Sequence, residues 1–452
     1  MAGVTDPDVI VIGAGCAGLS AAVRLTSRGA RVLVIEARAR LGGRATAFVD
    51  RDTGELVDNG QHILLGCYTG TFAFLGEMGA LGHVRVPAQL GVTMIDASGR
   101  RTRLSCPALP PPLHLLAGVM EWDALSWRDR LSVFGMASPL RIARRELRPG
   151  ATRRAASPGE TVENWLVRNG QTPRIRELLW DPLALAALNQ SPDQAAAPSF
   201  ARVLAEMFGS DASAASIALP TRPLHLMYAE PAREYVERGG GAVRTGATAT
   251  VRVLNGALAG VDVDGERLQA RHVVSAVPWF GLPALFPDGP AGLGDVVDRA
   301  RRTAALPIVT VNLWFDRPVM DEPFIGLPGR AMQWVFDKRF VFGGEASHLS
   351  LLSSGAASML GRTNADLTAL ALADLCEALP ETRSANVVHA TVVREPRATF
   401  SLAPGQPARP GCETDVKGLW LAGDWTDTGL PATIESAVRS GHRAADLVAG
   451  DR

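Results

Sequence analysis

Asp8-Val9-Ile10-Val11-Ile12-Gly13-Ala14-Gly15-Cys16-Ala17-Gly18 is an apolar strand that runs into Gly-x-Gly-x-x-Gly and then into small residues suited to a helix. Gly13 permits the tight turn, Gly15 the approach of a diphosphate to the backbone, and Gly18 close helix–strand packing. The helix that follows offers free N–H groups and the positive end of its dipole to phosphate charge. Working outward, a second apolar strand, Arg31 to Ile35, ends in Glu36. An acid there accepts hydrogen bonds from a ribose and repels a 2′-phosphate, which argues against NADP. Between the strands, Leu19, Ala22, Val23 and Leu25 keep helical spacing, and Gly29 is a natural stop.

Arg38-Ala39-Arg40-Leu41-Gly42-Gly43-Arg44 comes next. Gly42 and Gly43 let the backbone pass beneath a diphosphate while the guanidinium groups of Arg38, Arg40 and Arg44 neutralise it. Near the other end, Gly418-Leu419-Trp420-Leu421-Ala422-Gly423-Asp424 reads as a buried strand closing on a glycine and an acid. Pro431 suits a first helical position, and Ile434, Ala437, Val438, Gly441, Ala445 and Val448 continue the helical period.

These segments together resemble the flavin amine oxidase and carotenoid desaturase superfamily. The resemblance implies an α/β fold in which a Rossmann-like FAD-binding domain is interleaved with an α+β substrate domain. It implies that Gly423 and Asp424 meet the ribityl and diphosphate part of FAD, that the helix which follows points its N-terminus at the pyrimidine edge, and that Thr433 and Ile434 contact the cofactor. It further implies that the segment around Gly60 passes the flavin ring and that the strand near Val251 meets the adenine through its backbone. Trp425 to Thr433 holds no cysteine or histidine, so FAD is expected to be non-covalent.

Internal segments narrow the resemblance. Val57-Asp58-Asn59-Gly60-Gln61-His62-Ile63-Leu64-Leu65-Gly66-Cys67-Tyr68, Pro110 to Gly118, Leu125 to Ser132, Trp180 to Asn189 and Ala422 to Glu435 are similar to the squalene-associated desaturase-like group, the hydroxysqualene dehydroxylases. This implies that the hydroxyl of hydroxysqualene, a long-chain isoprenoid alcohol, is replaced by hydrogen to give squalene, as in squalene and hopanoid biosynthesis. The electrons would come from an unidentified donor. A polyene desaturase or amine oxidase of the same superfamily is the alternative enzyme, and a non-catalytic prenyl-lipid carrier the alternative of another class. The carrier reading predicts damaged phosphate loops, yet Gly13, Gly15, Gly18, Glu36 and Asp424 are all in place.

The 452 residues carry 46 Lys+Arg against 46 Asp+Glu, so the formal charge is zero and a nucleic-acid partner is not indicated. Lysine occurs only at Lys338 and Lys417. Cys16, Cys67, Cys106, Cys376 and Cys412 form no close pair and no zinc spacing, so no metal site is expected and a reducing compartment is. The chain shows no signal peptide and no long apolar run, which points to the cytoplasm, in solution or peripheral at the inner face of the membrane. The cofactor domain is expected to take 1–66, 235–278 and 409–452, and the substrate domain 67–234 and 279–408. Asn255-Gly256 and Asp264-Gly265 predict two hairpin turns. Strands are expected over Pro307–Phe315 and Val387–Arg394, a helix over Asn364–Ala378, and a loop over Arg141–Gly159.

Dehydroxylation needs a proton donor near the leaving hydroxyl. His62 has a suitable pKa range, with a structural hydrogen-bonding residue as its plainer reading. Gln61 lies beside it, and Asp181 is the second acid considered, with a helix cap as its plainer reading. The resemblance to amine oxidases, which use a lysine near flavin N5, makes Lys338 a further candidate, with a solvated charge within Asp337-Lys338-Arg339 as its plainer reading. Leu104 to Leu140 combines Leu113, Leu115, Leu116, Trp122, Trp127, Leu131 and Phe134 with Arg128 and Arg130. That mixture fits a membrane-surface segment through 104–140 and also a buried helical hairpin.

Overall fold

Residues 7–209, 211–287, 289 and 292–451 are described in a computed structural model of the chain. Val9–Ile12 is fully apolar and buried on both faces, as a central parallel strand must be. It pairs in parallel with Val32–Glu36 on one side and His272–Ser275 on the other. Ala242–Thr245 and Leu419–Leu421 complete a five-stranded sheet. One sheet thus draws on three distant parts of the chain, all inside the segments expected to bind the cofactor. Helix Cys16–Ser27 packs against helix Ile434–Gly450, where Ser20 Oγ reaches the Val438 carbonyl. Gly29, at φ +81°, stops the first helix as expected.

The core around this sheet also takes in Phe74, Leu75, Met78, Leu224, Met227, Tyr228 and Ala229. Residues on both ends of the stretch 67–234 therefore pack on the cofactor side. A second, seven-stranded sheet runs in the order Val387–Phe400, Ala305–Phe315, Ser347–Ser354, Trp334–Asp337, Phe324–Gly326, Gly91–Ile95, Arg101–Ser105. Its alternation separates two faces. Val309, Val311 and Leu313 pack with Leu367, Ala371 and Leu375 of helix Asn364–Ala378. Ile308, Trp334, Phe336 and Leu352 look toward the cavity on the opposite face.

Both hairpin turns form as the dipeptides predict, with Asn255 at φ 50° and Asp264 at φ 48° between antiparallel strands. Three expectations need correction. The last helix begins at Ile434, not at Pro431, because Thr433 caps it by accepting from Ser436 N at 3.1 Å. Arg141–Gly159 is not all loop: Ala137–Glu146 is helical, its Ala, Leu and Arg being good helix formers. Lys338 is 5% exposed and is not a solvated charge.

Candidate active site

A cavity of about 560 Å³ runs between the two sheets. At one end lie Gly13, Gly15, Glu36, Ala37, Arg38, Gly42, Gly43, Thr248 and Ala249. Glu36 accepts from Ala14 N at 2.8 Å and from Arg38 N at 2.9 Å, which fixes its carboxylate beside the glycine turn. The first turn of helix Cys16–Ser27 has no side-chain cap, so its amides stay available to phosphate. A Cβ on Gly18 would lie 1.9 Å from the Gly13 carbonyl oxygen, so only glycine lets the helix sit this close to the turn. Gly43, at φ +60°, brings its backbone against Gly15: a Cβ there would meet Gly15 Cα at 3.2 Å. A backbone-lined cradle of this kind fits the diphosphate of a dinucleotide.

Sequence reasoning assigned three arginines to that diphosphate, and the structure separates them. Arg38 lines the cavity and donates to the Gly43 carbonyl at 3.3 Å. Arg44 lines it too, but its guanidinium pairs with Asp424 at 2.5 Å, donates to the Ala398 carbonyl at 2.8 Å, and lies over the Trp279 ring. Arg40 lies outside the cavity lining, over Phe48. Val251 is likewise buried beyond the lining, where Ala247, Thr248 and Ala249 stand instead. Gly60, Gln61, His62, Gly423, Asp424, Thr433 and Ile434 all line the cavity.

Tyr228 is a residue that sequence reasoning missed. Its buried hydroxyl is 2.8 Å from the Gly42 carbonyl and 2.9 Å from that of Ala45, so it ties down the glycine-pair loop from below. The two cysteines that line the cavity, Cys16 and Cys67, are pushed up to about 12 by burial and stay protonated, so neither is a ready nucleophile.

The far end is mostly apolar: Leu65, Leu183, Ala186, Val203, Ile308, Trp334 and Leu352. His62 sits at its polar edge. The ring nitrogen Nδ1 is 2.7 Å from the Gly60 carbonyl, which can only accept, so Nδ1 carries the proton and Nε2 is the other, cavity-side nitrogen. Burial holds the imidazole below its ordinary range, with Gly60 and Asp58 opposing. Gln61 is committed on both ends, accepting from Lys338 Nζ and donating to the His62 carbonyl at 3.0 Å. Asp181 lies outside the lining, although Leu183, Ala186 and Ala187 of the same helix contribute to it. Its neighbouring charges are Arg176, Glu163 and Glu177, and burial raises its carboxyl. Asp50, Asp52 and His389 form a potential metal-ligand group, but Asp50 already serves the amides of Asp52 and Thr53 and the Thr391 hydroxyl.

The flavin containing amine oxidoreductase family matches residues 16–449. A hydroxysqualene dehydroxylase of Rhodopseudomonas palustris is 31% identical over 443 residues, spanning 97% of this chain and 98% of that one. A hydroxysqualene dehydroxylase of Sinorhizobium fredii is 30% identical over 450 residues, again 97% and 98%. Among solved structures, cyclohexylamine oxidase from Brevibacterium oxydans superposes with a TM-score of 0.73 at 18% identity, covering 99% of both chains. The cradle fits FAD and the match spans nearly the whole chain: it belongs to the flavin-containing amine oxidoreductase family and is an FAD-dependent oxidoreductase.

Proposed function

We propose that this enzyme reductively removes the hydroxyl of hydroxysqualene to give squalene. The observation that carries the reading is an apolar cavity with one imidazole at its polar edge, in a chain matched end to end by hydroxysqualene dehydroxylases. When bound, reduced FAD supplies a hydride. The remaining work falls to the protein. Leu183, Ala186, Ile308, Trp334 and Leu352 take up hydrocarbon, so a long isoprenoid enters by losing contact with water. They also keep water from a carbon that becomes electron-poor as its oxygen departs.

His62 Nε2 accepts from the substrate hydroxyl while the ring is neutral. Once protonated, it gives its proton to the departing oxygen, which leaves as water. Burial keeps the ring's pKa below the usual histidine range, so the acid form grows, and turnover rises, as pH falls toward that value. His62→Gln should keep FAD and remove this limb of the profile. An anaerobic incubation with chemically reduced FAD and hydroxysqualene tests the reaction. Squalene is the expected product, and unchanged alcohol would count against the reading.

The substrate also bears on location. No helix among the described residues is long and apolar enough to cross a membrane. The 104–140 segment divides: Trp122 is 1% exposed and belongs to the core, whereas Trp127 is 65%, Leu131 54% and Phe134 51% exposed. The exposed trio, close in chain to exposed Arg128, Arg141 and Arg144, is our candidate for contact with an anionic bilayer from which the alcohol is drawn. Each such side chain offers up to about 1.5–3 kcal/mol on burial. Serine at Trp127, Leu131 and Phe134 should therefore abolish co-sedimentation with anionic liposomes while melting stays unchanged.

A further inference from the structure

Lys338 stands outside the cavity lining, and its environment is unlike that of any surface lysine. Asp337 caps the helix Lys338–Phe342 through Arg339 N at 2.9 Å and also pairs with the Arg339 guanidinium at 2.6 Å. Lys338, freed from both, turns inward. Its Nζ is 3.2 Å from Asp58 Oδ2, donates to Gln61 Oε1, and lies 4.4 Å from the centre of the Phe342 ring. Asp58 is itself buried, and its other oxygen accepts from Leu224 N at 3.0 Å. Two segments remote in sequence thus meet on one ammonium group, and a third joins through Leu224 N on Asp58. Between the two residues that Lys338 holds lie only Asn59 and Gly60. Gly60 is the residue whose carbonyl fixes the His62 ring, and Gln61 donates to the His62 carbonyl.

The geometry points to Lys338 as a positioning residue. By clamping Asp58 and Gln61 it holds the 58–62 loop in the one shape that turns His62 Nε2 toward the cavity. This role rests on the reading of His62 given above but is measurable without substrate. A buried ion pair is weak evidence for stability in itself, and fixing a unique arrangement is its better-attested use. The charges facing His62 are Asp58 on its own loop, Lys338 on the short helix, and Arg44 on the glycine-pair loop. His225 and His348 are coupled to the same pair, the former to Asp58 and the latter to Lys338. Removing the Lys338 charge leaves Asp58 facing the loop with no cation in direct contact, which favours protonated His62.

The test is the imidazole NMR spectrum of His62 in FAD-loaded protein, its signal being the one lost in His62→Gln. In Lys338→Met the lost ammonium raises the His62 pKa and the lost Gly60 bond lowers it, so the loop is read from the Nδ1–H signal, which should weaken in Lys338→Met and return in Lys338→Arg. Because Lys338→Met strands a buried carboxylate, the paired variant Asp58→Asn/Lys338→Met keeps the site neutral and foldable. It should retain FAD, lose the His62 Nδ1–H signal of the bond to Gly60, and lower kcat about tenfold to a hundredfold with KM little changed. An intact Nδ1–H signal in the paired variant overturns the proposal. If hydroxysqualene is not turned over by the parent, the reaction assigned above fails, and the role of Lys338 is still decided by the Nδ1–H signal.

Discussion

The dinucleotide cradle and the clamp beneath His62 are built in opposite ways. The cradle is mostly backbone: Gly13, Gly15, Gly42 and Gly43 present main chain to the cavity, with Glu36 locked between two amides. The clamp is made of side chains from residues 58, 61 and 338, joined by a backbone amide from residue 224. A backbone site is written in glycines at short fixed spacing. A side-chain site assembled across the fold leaves no local pattern. Gly13, Gly42 and Gly43 leave little or no room for a Cβ and sit at positive φ, whereas the clamp depends on its two charges staying paired.

Breaking the cradle should give the largest effect. Gly18→Ala places a methyl 1.9 Å from the Gly13 carbonyl oxygen and 3.1 Å from Ala276 Cβ, neither of them the end of a flexible side chain. We expect loss of FAD and of the folded yield, measured as flavin absorbance in the soluble fraction. Next comes Asp424→Ala, which strands the Arg44 guanidinium inside the cavity. FAD affinity should fall by about 1.5–3 kcal/mol, the scale of a charge-assisted hydrogen bond, as titration of the apoprotein would show. Tyr228→Phe removes the hydroxyl that holds Gly42 and Ala45, and should weaken FAD by about 1 kcal/mol without altering the hydrophobic core. Arg40→Ala sharpens the comparison from the other side. Arg40 lies outside the lining, so affinity should stay within about 0.5 kcal/mol of the parent. A large loss there would return Arg40 to the diphosphate.

Much of the first region was legible in the sequence because glycine and proline chemistry is local. The hairpins at Asn255-Gly256 and Asp264-Gly265 need positive φ at their first turn residue, and both residue types supply it. The start of the last helix was misjudged because Pro431 drew attention from Thr433, whose hydroxyl caps Ser436 N. The preference for threonine at caps was the available signal. Lys338 was misjudged because three adjacent charges usually mark solvent. Its signal was the flanking Trp334-Val335-Phe336 and Phe340-Val341-Phe342, which bury the triplet inside an apolar run. Asp181 illustrates the reverse. Its neighbours toward the C-terminal end of the helix line the cavity, yet the acid itself does not, and only the fold separates them.

A single-turnover measurement tests the dehydroxylation most directly. Protein carrying FAD is reduced anaerobically, freed of excess reductant and mixed with hydroxysqualene. The oxidised-flavin spectrum should return with one squalene formed per flavin reoxidised, faster at lower pH in the parent and without that pH dependence in His62→Gln. A flavin that stays reduced in the presence of the alcohol, while the oxidised protein is bleached by a polyene or an amine, would contradict it.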